Sequence, residues 1–237
     1  MQPPLSLPGL FNARDLGGYP TTDGALTRSG SLVRADDLAQ LSTEGLKALE
    51  AYGIRTVLDL RWPEEAARDP NPVPQGLPHV HFVHVSLLTH TEEEWRLRSR
   101  EVAKELWKCG VLEHVRHELR RALGVIARAP PQALLFHCVA GKDRTGLIAA
   151  LLLALADVEP QAIAYDYALS TPNLREEYLR RYPSANPARL LEALRCPEEG
   201  VYNMLKFLEN AGGVRTYLGE IGVSPAELDA LRARLRD

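Results

Sequence analysis

The chain has 237 residues, 45% hydrophobic and 25% charged, with a formal net charge of -3, which is the balance of a folded globular protein and excludes disordered and fibrous classes. The acidic balance and the lack of a basic stripe exclude a nucleic-acid binder, whose affinity comes from clustered Lys and Arg. The longest uncharged apolar run, Gly146 to Ala156, is too short to span a bilayer, and Met1-Gln2-Pro3-Pro4 lacks the basic start and apolar stretch of a signal peptide. These features predict a cytoplasmic protein without membrane insertion.

In chain order, Leu7 to Tyr19 combines apolar anchors, the pair Arg14-Asp15 and the step Gly17-Gly18. That mix predicts a structured loop and short strand, in which Arg14 and Asp15 either brace a turn or stand beside an active site. Ser42 is suited to cap a helix that carries Leu46 and Leu49 inward, and Gly53 to end it in the left-handed conformation. Ile54 to Leu60 then reads as a strand, whose successor Arg61 falls at the edge where a parallel sheet delivers side chains to a ligand. Five prolines between Pro63 and Pro78 mark an irregular linker, and His79 to Leu87 reads as a further strand. Thr91 to Lys108 is charged and helical in character. Val111, Val115, Leu119, Ala122 and Ile126 form one apolar stripe at helical spacing.

After Pro130-Pro131 comes a buried strand, Ala133 to Phe136, then His137-Cys138-Val139-Ala140-Gly141-Lys142-Asp143-Arg144-Thr145-Gly146, then the core helix beginning at Leu147. The remainder is helical, with breaks at several prolines and at Gly212-Gly213. Ser224-Pro225-Ala226-Glu227 forms a capping box for a last helix that buries Leu228, Leu231 and Leu235. The order of elements predicts an α/β fold: a central, mostly parallel sheet flanked by helices, in one domain over 1–237 whose portion from about 157 is largely helical.

The loop at Cys138 carries the chemistry. Leaving a strand and entering a helix, it turns backbone N–H groups toward a common point with a helix N-terminus behind them, which is an anion cradle. Val139, Ala140, Gly141, Lys142, Thr145 and Gly146 supply that cradle, and the guanidinium fork of Arg144 completes it. Cys138 lies beneath the bound group, in an electropositive setting that favours the thiolate. In-line attack on phosphorus would give a cysteinyl-phosphate and divide hydrolysis into two displacements, each needing a proton carrier. Asp143 is the first choice, because repulsion by a dianionic phosphate favours its protonated form. Asp59 is another candidate, with an ion-pair brace as the alternative reading. Trp62-Pro63-Glu64 imitates an acid-bearing Trp-Pro-Asp loop, but lies too far upstream of Cys138 and is set aside. Thr145 is placed to hydrogen-bond the Cys138 sulfur.

A nucleotide-binding loop fails, since Gly141-Lys142 is followed by Asp143 where Ser or Thr is required. His79, His81 and His84 would need a strand bulge to share one ion, so no metal and no cofactor is expected. Cys109 and Cys196 read as reduced, inert thiols unless one lies close to Cys138. Trp95 and Trp107 read as packing residues or as a lid.

The Cys-x5-Arg signature, together with Leu7-Pro8-Gly9, Phe11 to Tyr19, Arg28-Ser29-Gly30-x-Leu32-Val33-Arg34 and Asp59-Leu60-Arg61 with Glu64-Glu65, resembles the IphP-type bacterial tyrosine/serine, dual-specificity phosphatases of the cysteine-dependent protein tyrosine phosphatase superfamily. The resemblance implies a phosphatase-like fold and activity on phosphotyrosine, with phosphoserine, phosphothreonine and phosphoinositides as further substrates. It also implies proton transfer by Asp143 and a head-group contact by Lys142, while Arg14, Asp15 and Arg61 stand as substrate-site candidates from their own places in the chain.

Overall fold

The computed structural model describes residues 5–88 and 110–236. Five strands form one sheet: β1 (Arg14–Asp15), β2 (Leu32–Ala35), β3 (Ile54–Asp59), β4 (His81–His84) and β5 (Ala133–His137), in the order β1-β2-β5-β3-β4. Only β1 runs antiparallel to its neighbour; the other pairs are parallel. β5 sits between β2 and β3 and is buried along its whole length, as a continuous Leu-Leu-Phe run in a parallel sheet requires.

Strand side chains alternate across the sheet and so divide the interior in two. Leu134 and Phe136 face a large cluster with Leu58, Leu119, Ile126 and Leu147 to Leu153. Ala133 and Leu135 face a smaller one with Val33, Leu38, Leu49, Val57 and Val73. The small cluster is covered by α1 (Thr43–Tyr52) and, beyond α2 (Pro63–Arg68), by α3 (Val73–Gly76) and the segment that follows it. The large one is built from α4 (Gly110–His114), α5 (Arg116–Arg128), α6 (Asp143–Leu155), α7 (Pro160–Ala168), and, after α8 (Ser170–Arg181) and α9 (Pro187–Leu194), which contribute nothing to it, α10 (Glu198–Asn210), α11 (Val214–Glu220) and α12 (Pro225–Ala233). Residues Leu147 to Leu153 of α6 are all buried, the mark of a helix packed on every side.

The capping signals hold. Ser42 Oγ accepts from Gly45 N, and Gly53 closes α1 at φ 93. Ser224 and Glu227 form the reciprocal box at the start of α12. Two expectations change. The strand foreseen from His79 to Leu87 is only His81–His84, because β4 is an edge strand paired on one side and Val80 is taken into a turn by its bond to Leu77 O at 2.9 Å. The stripe from Val111 to Ile126 is split at Val115, whose backbone leaves the helical region at φ -105, ψ 18. The charged helix foreseen over Thr91 to Lys108, with Trp95 and Trp107, and Cys109 lie outside the described residues. Among the described residues no helix is long and apolar enough to cross a membrane.

Candidate active site

Parallel strands gather the C-terminal ends of β2, β5 and β3 at one edge of the sheet, where α/β proteins place their ligands. Ala35 and Asp59 both lie in register with His137, so the residues that follow each strand surround Cys138. Gly141 is at φ 63, and a Cβ there would come within 2.4 Å of Ala35 O. Only glycine lets the loop turn this tightly against β2.

Arg144 lies on the first turn of α6. Its guanidinium makes a fork with Glu65 of α2, Nη1 to Oε2 at 2.6 Å and Nη2 to Oε1 at 3.0 Å, and stacks on Trp62 with 4.7 Å to the ring centroid. Burial works against its charge, but the neighbouring Cys138 sulfur and Glu65 more than offset this and hold its pKa above the ordinary arginine value. The segment set aside from the sequence therefore belongs to the site in another capacity. Glu64 is exposed, whereas Trp62 and Glu65 are buried against Arg144.

Asp143 opens α6 and has a side chain 23% exposed, with Oδ2 3.6 Å from Lys142 Nζ. Tyr167 of α7 donates its hydroxyl to Asp143 Oδ1 at 3.1 Å. Burial and the Asp143 charge drive the Tyr167 pKa well up, so it stays a neutral donor. Lys142 is buried, and its ammonium donates to Ala193 O at the end of α9 at 2.7 Å. Cys196, just beyond α9, has its thiol pushed up by burial.

His137 is fully buried, and burial pushes its pKa below the ordinary value, which keeps the ring neutral. Its Nδ1 lies 3.1 Å from the Cys138 carbonyl, an acceptor, so the proton sits on Nδ1, leaving Nε2 to accept from Asn71 Nδ2 at 3.2 Å. The Thr145 hydroxyl is buried without a hydrogen-bond partner among the described residues, so the expected bond to the Cys138 sulfur is not formed.

The three outlying residues expected to touch substrate are engaged inside the protein. Arg14 spends its guanidinium on Asp166 Oδ1 and O, on Asn12 O and Oδ1, and on Ser170 Oγ. Asp15 accepts from Gly17 N, Gly30 N and the Tyr52 hydroxyl. Arg61, fully buried, pairs with Asp59 and Asp37 and donates to Asp69 O. Asp59 is thus the brace of the two readings open to it.

Further residues reach the loop without having been singled out. Asn12 Nδ2 donates to Ala140 O at 2.9 Å and Gly141 O at 3.2 Å. Arg34 Nη2 donates to Gly141 O at 2.7 Å and Lys142 O at 3.3 Å, while its Nη1 pairs with Asp166. Burial works against an ionised Asp166, yet Arg14 and Arg34 hold its pKa down to about 2. A lone acid on an otherwise apolar stretch of helix, Ala162 to Ala168, was the available sign of such a partner. At the rim, Tyr178 of α8 is within electrostatic reach of Cys138 and Asp36. Its ring pairs at 5.6 Å with that of Tyr182, which is 45% exposed.

No group of three or more His, Cys, Asp or Glu side chains is placed to hold a metal ion among the described residues. His79 pairs with Glu50 at 3.1 Å, and His84 Nε2 donates to Arg61 O at 2.8 Å.

Over residues 5–237 the sequence matches the family described as the tyrosine phosphatase family. It is 30% identical over 223 residues to a tyrosine-protein phosphatase of Nostoc commune, covering 86% of this chain and 74% of that one. Identity to the triple specificity protein phosphatase PtpB of Mycobacterium tuberculosis is 26% over 278 residues, covering 97% of this chain and 98% of that one. Among solved structures, TpbA of P. aeruginosa has a TM-score of 0.35 at 19% identity, covering 70% of this chain and 87% of that one.

Proposed function

This chain belongs to the tyrosine phosphatase family, and on that premise we propose that it hydrolyses phosphotyrosine through a cysteinyl-phosphate intermediate without a metal ion. The Cys138 thiolate attacks phosphorus from beneath, and the phosphoryl oxygens rest on the loop N–H groups and on the Arg144 N–H groups that Glu65 does not take. Asp143 gives a proton to the departing phenolate oxygen, then takes one from the water that cleaves the Cys138–phosphate bond. Charge stabilisation by the cradle and proton transfer by one carboxyl group leave no step that calls for a Lewis acid.

The observation that carries the reading is the fixed guanidinium of Arg144, held in plane by Glu65 and from one face by Trp62 at the far end of the loop that begins with Cys138. The Tyr178–Tyr182 ring pair, of which Tyr178 lies within electrostatic reach of Cys138, suits an aryl phosphate, whose ring can stack on aromatic side chains. The reading extends to phosphoserine and phosphothreonine, in keeping with a mycobacterial relative named a triple specificity protein phosphatase. The phosphoinositide alternative gains no support from Lys142, which is occupied by Ala193 O.

The test is turnover of p-nitrophenyl phosphate in excess EDTA, with Cys138→Ser as control, followed by phosphotyrosine, phosphoserine and phosphothreonine peptides beside phosphoinositide vesicles. No turnover, or equal turnover in Cys138→Ser, sinks the mechanism. A many-fold preference for the vesicles replaces phosphotyrosine with the lipid.

A further inference from the structure

Consecutive loop carbonyls each have a partner outside the cradle. Cys138 O accepts from His137 Nδ1 and Val139 O from Asp37 N at 2.9 Å. Ala140 O accepts from Asn12 Nδ2, Gly141 O from both Asn12 and Arg34, and Lys142 O from Arg34. A trans peptide unit is planar and points its C=O and its N–H in opposite directions. Fixing these oxygens outward therefore drives the N–H groups of Val139, Ala140, Gly141, Lys142 and Asp143 to the other side, where the anion lies.

We propose that Asn12 is the positioning residue that sets this cradle, its side-chain amide pulling the Ala140 and Gly141 carbonyls away from the phosphate so that their peptide N–H groups face it. Asn12 is itself fixed at every polar atom. Its N–H donates to Asp36 Oδ1 at 3.0 Å, its Oδ1 accepts from Arg14 at 2.6 Å and Asn173 at 3.3 Å, and it is fully buried. Arg34 supports the same peptide from the side of β2, but it also neutralises Asp166, so replacing it disturbs a buried ion cluster. Asn12 is the point at which donation to the loop can be removed by itself.

Asn12→Asp has the same shape and keeps the oxygen that Arg14 binds, but sets a carboxylate oxygen against two carbonyls that need a donor. The Ala140–Gly141 peptide is then free to turn, presenting an oxygen rather than the Gly141 N–H to the anion, while Arg34 still holds the Gly141 carbonyl. The proposal rests on the loop being the phosphate site. The experiment compares Asn12→Asp and Asn12→Ala with the unaltered protein: kcat and KM for p-nitrophenyl phosphate, inhibition constants for inorganic phosphate and orthovanadate, and the melting temperature.

The expected result is a rise of roughly 10- to 100-fold in KM and in both inhibition constants, with a fall in kcat, as small misplacements in catalytic sites produce. Asn12→Ala lowers the melting temperature, because Arg14 and Asn173 lose the Oδ1 acceptor, but it carries no charge into the loop, and its KM and inhibition constants give the readout if Asn12→Asp does not fold. A purely structural role lowers the number of competent molecules, and with it kcat, while KM and the inhibition constants stay put; that pattern overturns the inference and leaves the phosphatase reading intact. Absence of both turnover and orthovanadate binding in the unaltered protein removes the two together.

Discussion

Arg144 and Glu65 lie 79 residues apart in the chain and meet in a two-pronged ion pair at 2.6 and 3.0 Å, both almost out of contact with water. Glu65 has a second task in its own helix, accepting from Trp62 N at 2.8 Å through Oε2, so one carboxylate joins the start of α2 to the Arg144 guanidinium, the proposed phosphate clamp. Glu65→Gln keeps the volume but loses half of the fork, and kcat/KM for p-nitrophenyl phosphate should fall by roughly 10- to 100-fold. Glu65→Ala should cost more, because it leaves a buried guanidinium unpaired. Far-UV circular dichroism separates loss of the clamp from loss of the fold, and wild-type kinetics in Glu65→Gln would refute its role.

Gly141→Ala places a methyl group 2.4 Å from Ala35 O at a backbone φ of 63, which is both a clash and a strained conformation. Strain of this kind costs about 1–3 kcal/mol, and the loop cannot relax without moving the cradle. The expected outcome is a lower melting temperature together with turnover reduced by roughly 100-fold or more. Steady-state kinetics beside differential scanning calorimetry would check it.

The role given to Asp143 predicts a dependence on the leaving group. Asp143→Asn should slow phenyl phosphate, whose departing phenolate needs a proton, by roughly 10²- to 10⁴-fold. The loss should be smaller with p-nitrophenyl phosphate, whose leaving group departs without help. Tyr167→Phe, which removes the hydrogen bond to Asp143, should show the same ordering in a weaker form, about fivefold. Equal losses on both substrates would place the proton carrier elsewhere.

Asp36 makes a prediction about pH. Burial pushes its pKa from 3.8 up to about 6, against the opposing pull of the N–H groups of Asn12 and Phe11. Since the folded value is the higher one, the native state binds more protons than the unfolded chain between those limits, and stability from this group falls as pH rises from about 4 to about 6. The cost is fully present at neutral pH, at most roughly 3 kcal/mol. Asp36→Asn removes that dependence, so its melting temperature relative to the unaltered protein should rise between pH 4.5 and pH 7.5. Parallel melting curves for the two proteins across that range would show that Asp36 is not the source.

The apolar patterns of β3, β5 and α6 and the caps of α1 and α12 were legible because they depend on local periodicity and on turn chemistry. The strand, loop and helix around Cys138 were legible for the same reason, since a cysteine, a glycine and an arginine at fixed spacing between apolar runs mark the turn within a few residues. What surrounds the loop was not. Asn12, Arg34, Glu65 and Asp166 act through hydrogen bonds between distant segments, and nothing in their own neighbourhoods says which carbonyl or guanidinium they will meet. Arg14 and Arg61 illustrate the reverse: cations in an anion-binding protein suggest ligand contacts, yet burial commits them to Asp166 and to Asp59 with Asp37. Setting Trp62-Pro63-Glu64 aside as an acid loop also passed over Trp62 and the neighbouring Glu65, which meet Arg144.

The hydrogen bonds from Asn12 and Arg34 to the Ala140, Gly141 and Lys142 carbonyls have a bearing on modularity. Information about the loop's shape is distributed over a segment before β1, a strand and, through Asp166, a helix that follows. His137 to Gly146 transplanted between a strand and a helix of an unrelated sheet would carry the nucleophile and the arginine but not their arrangement. A designer who wished to move this centre would have to move the scaffolding with it, and drift in any of those segments is constrained by the shape of a loop to which it does not belong.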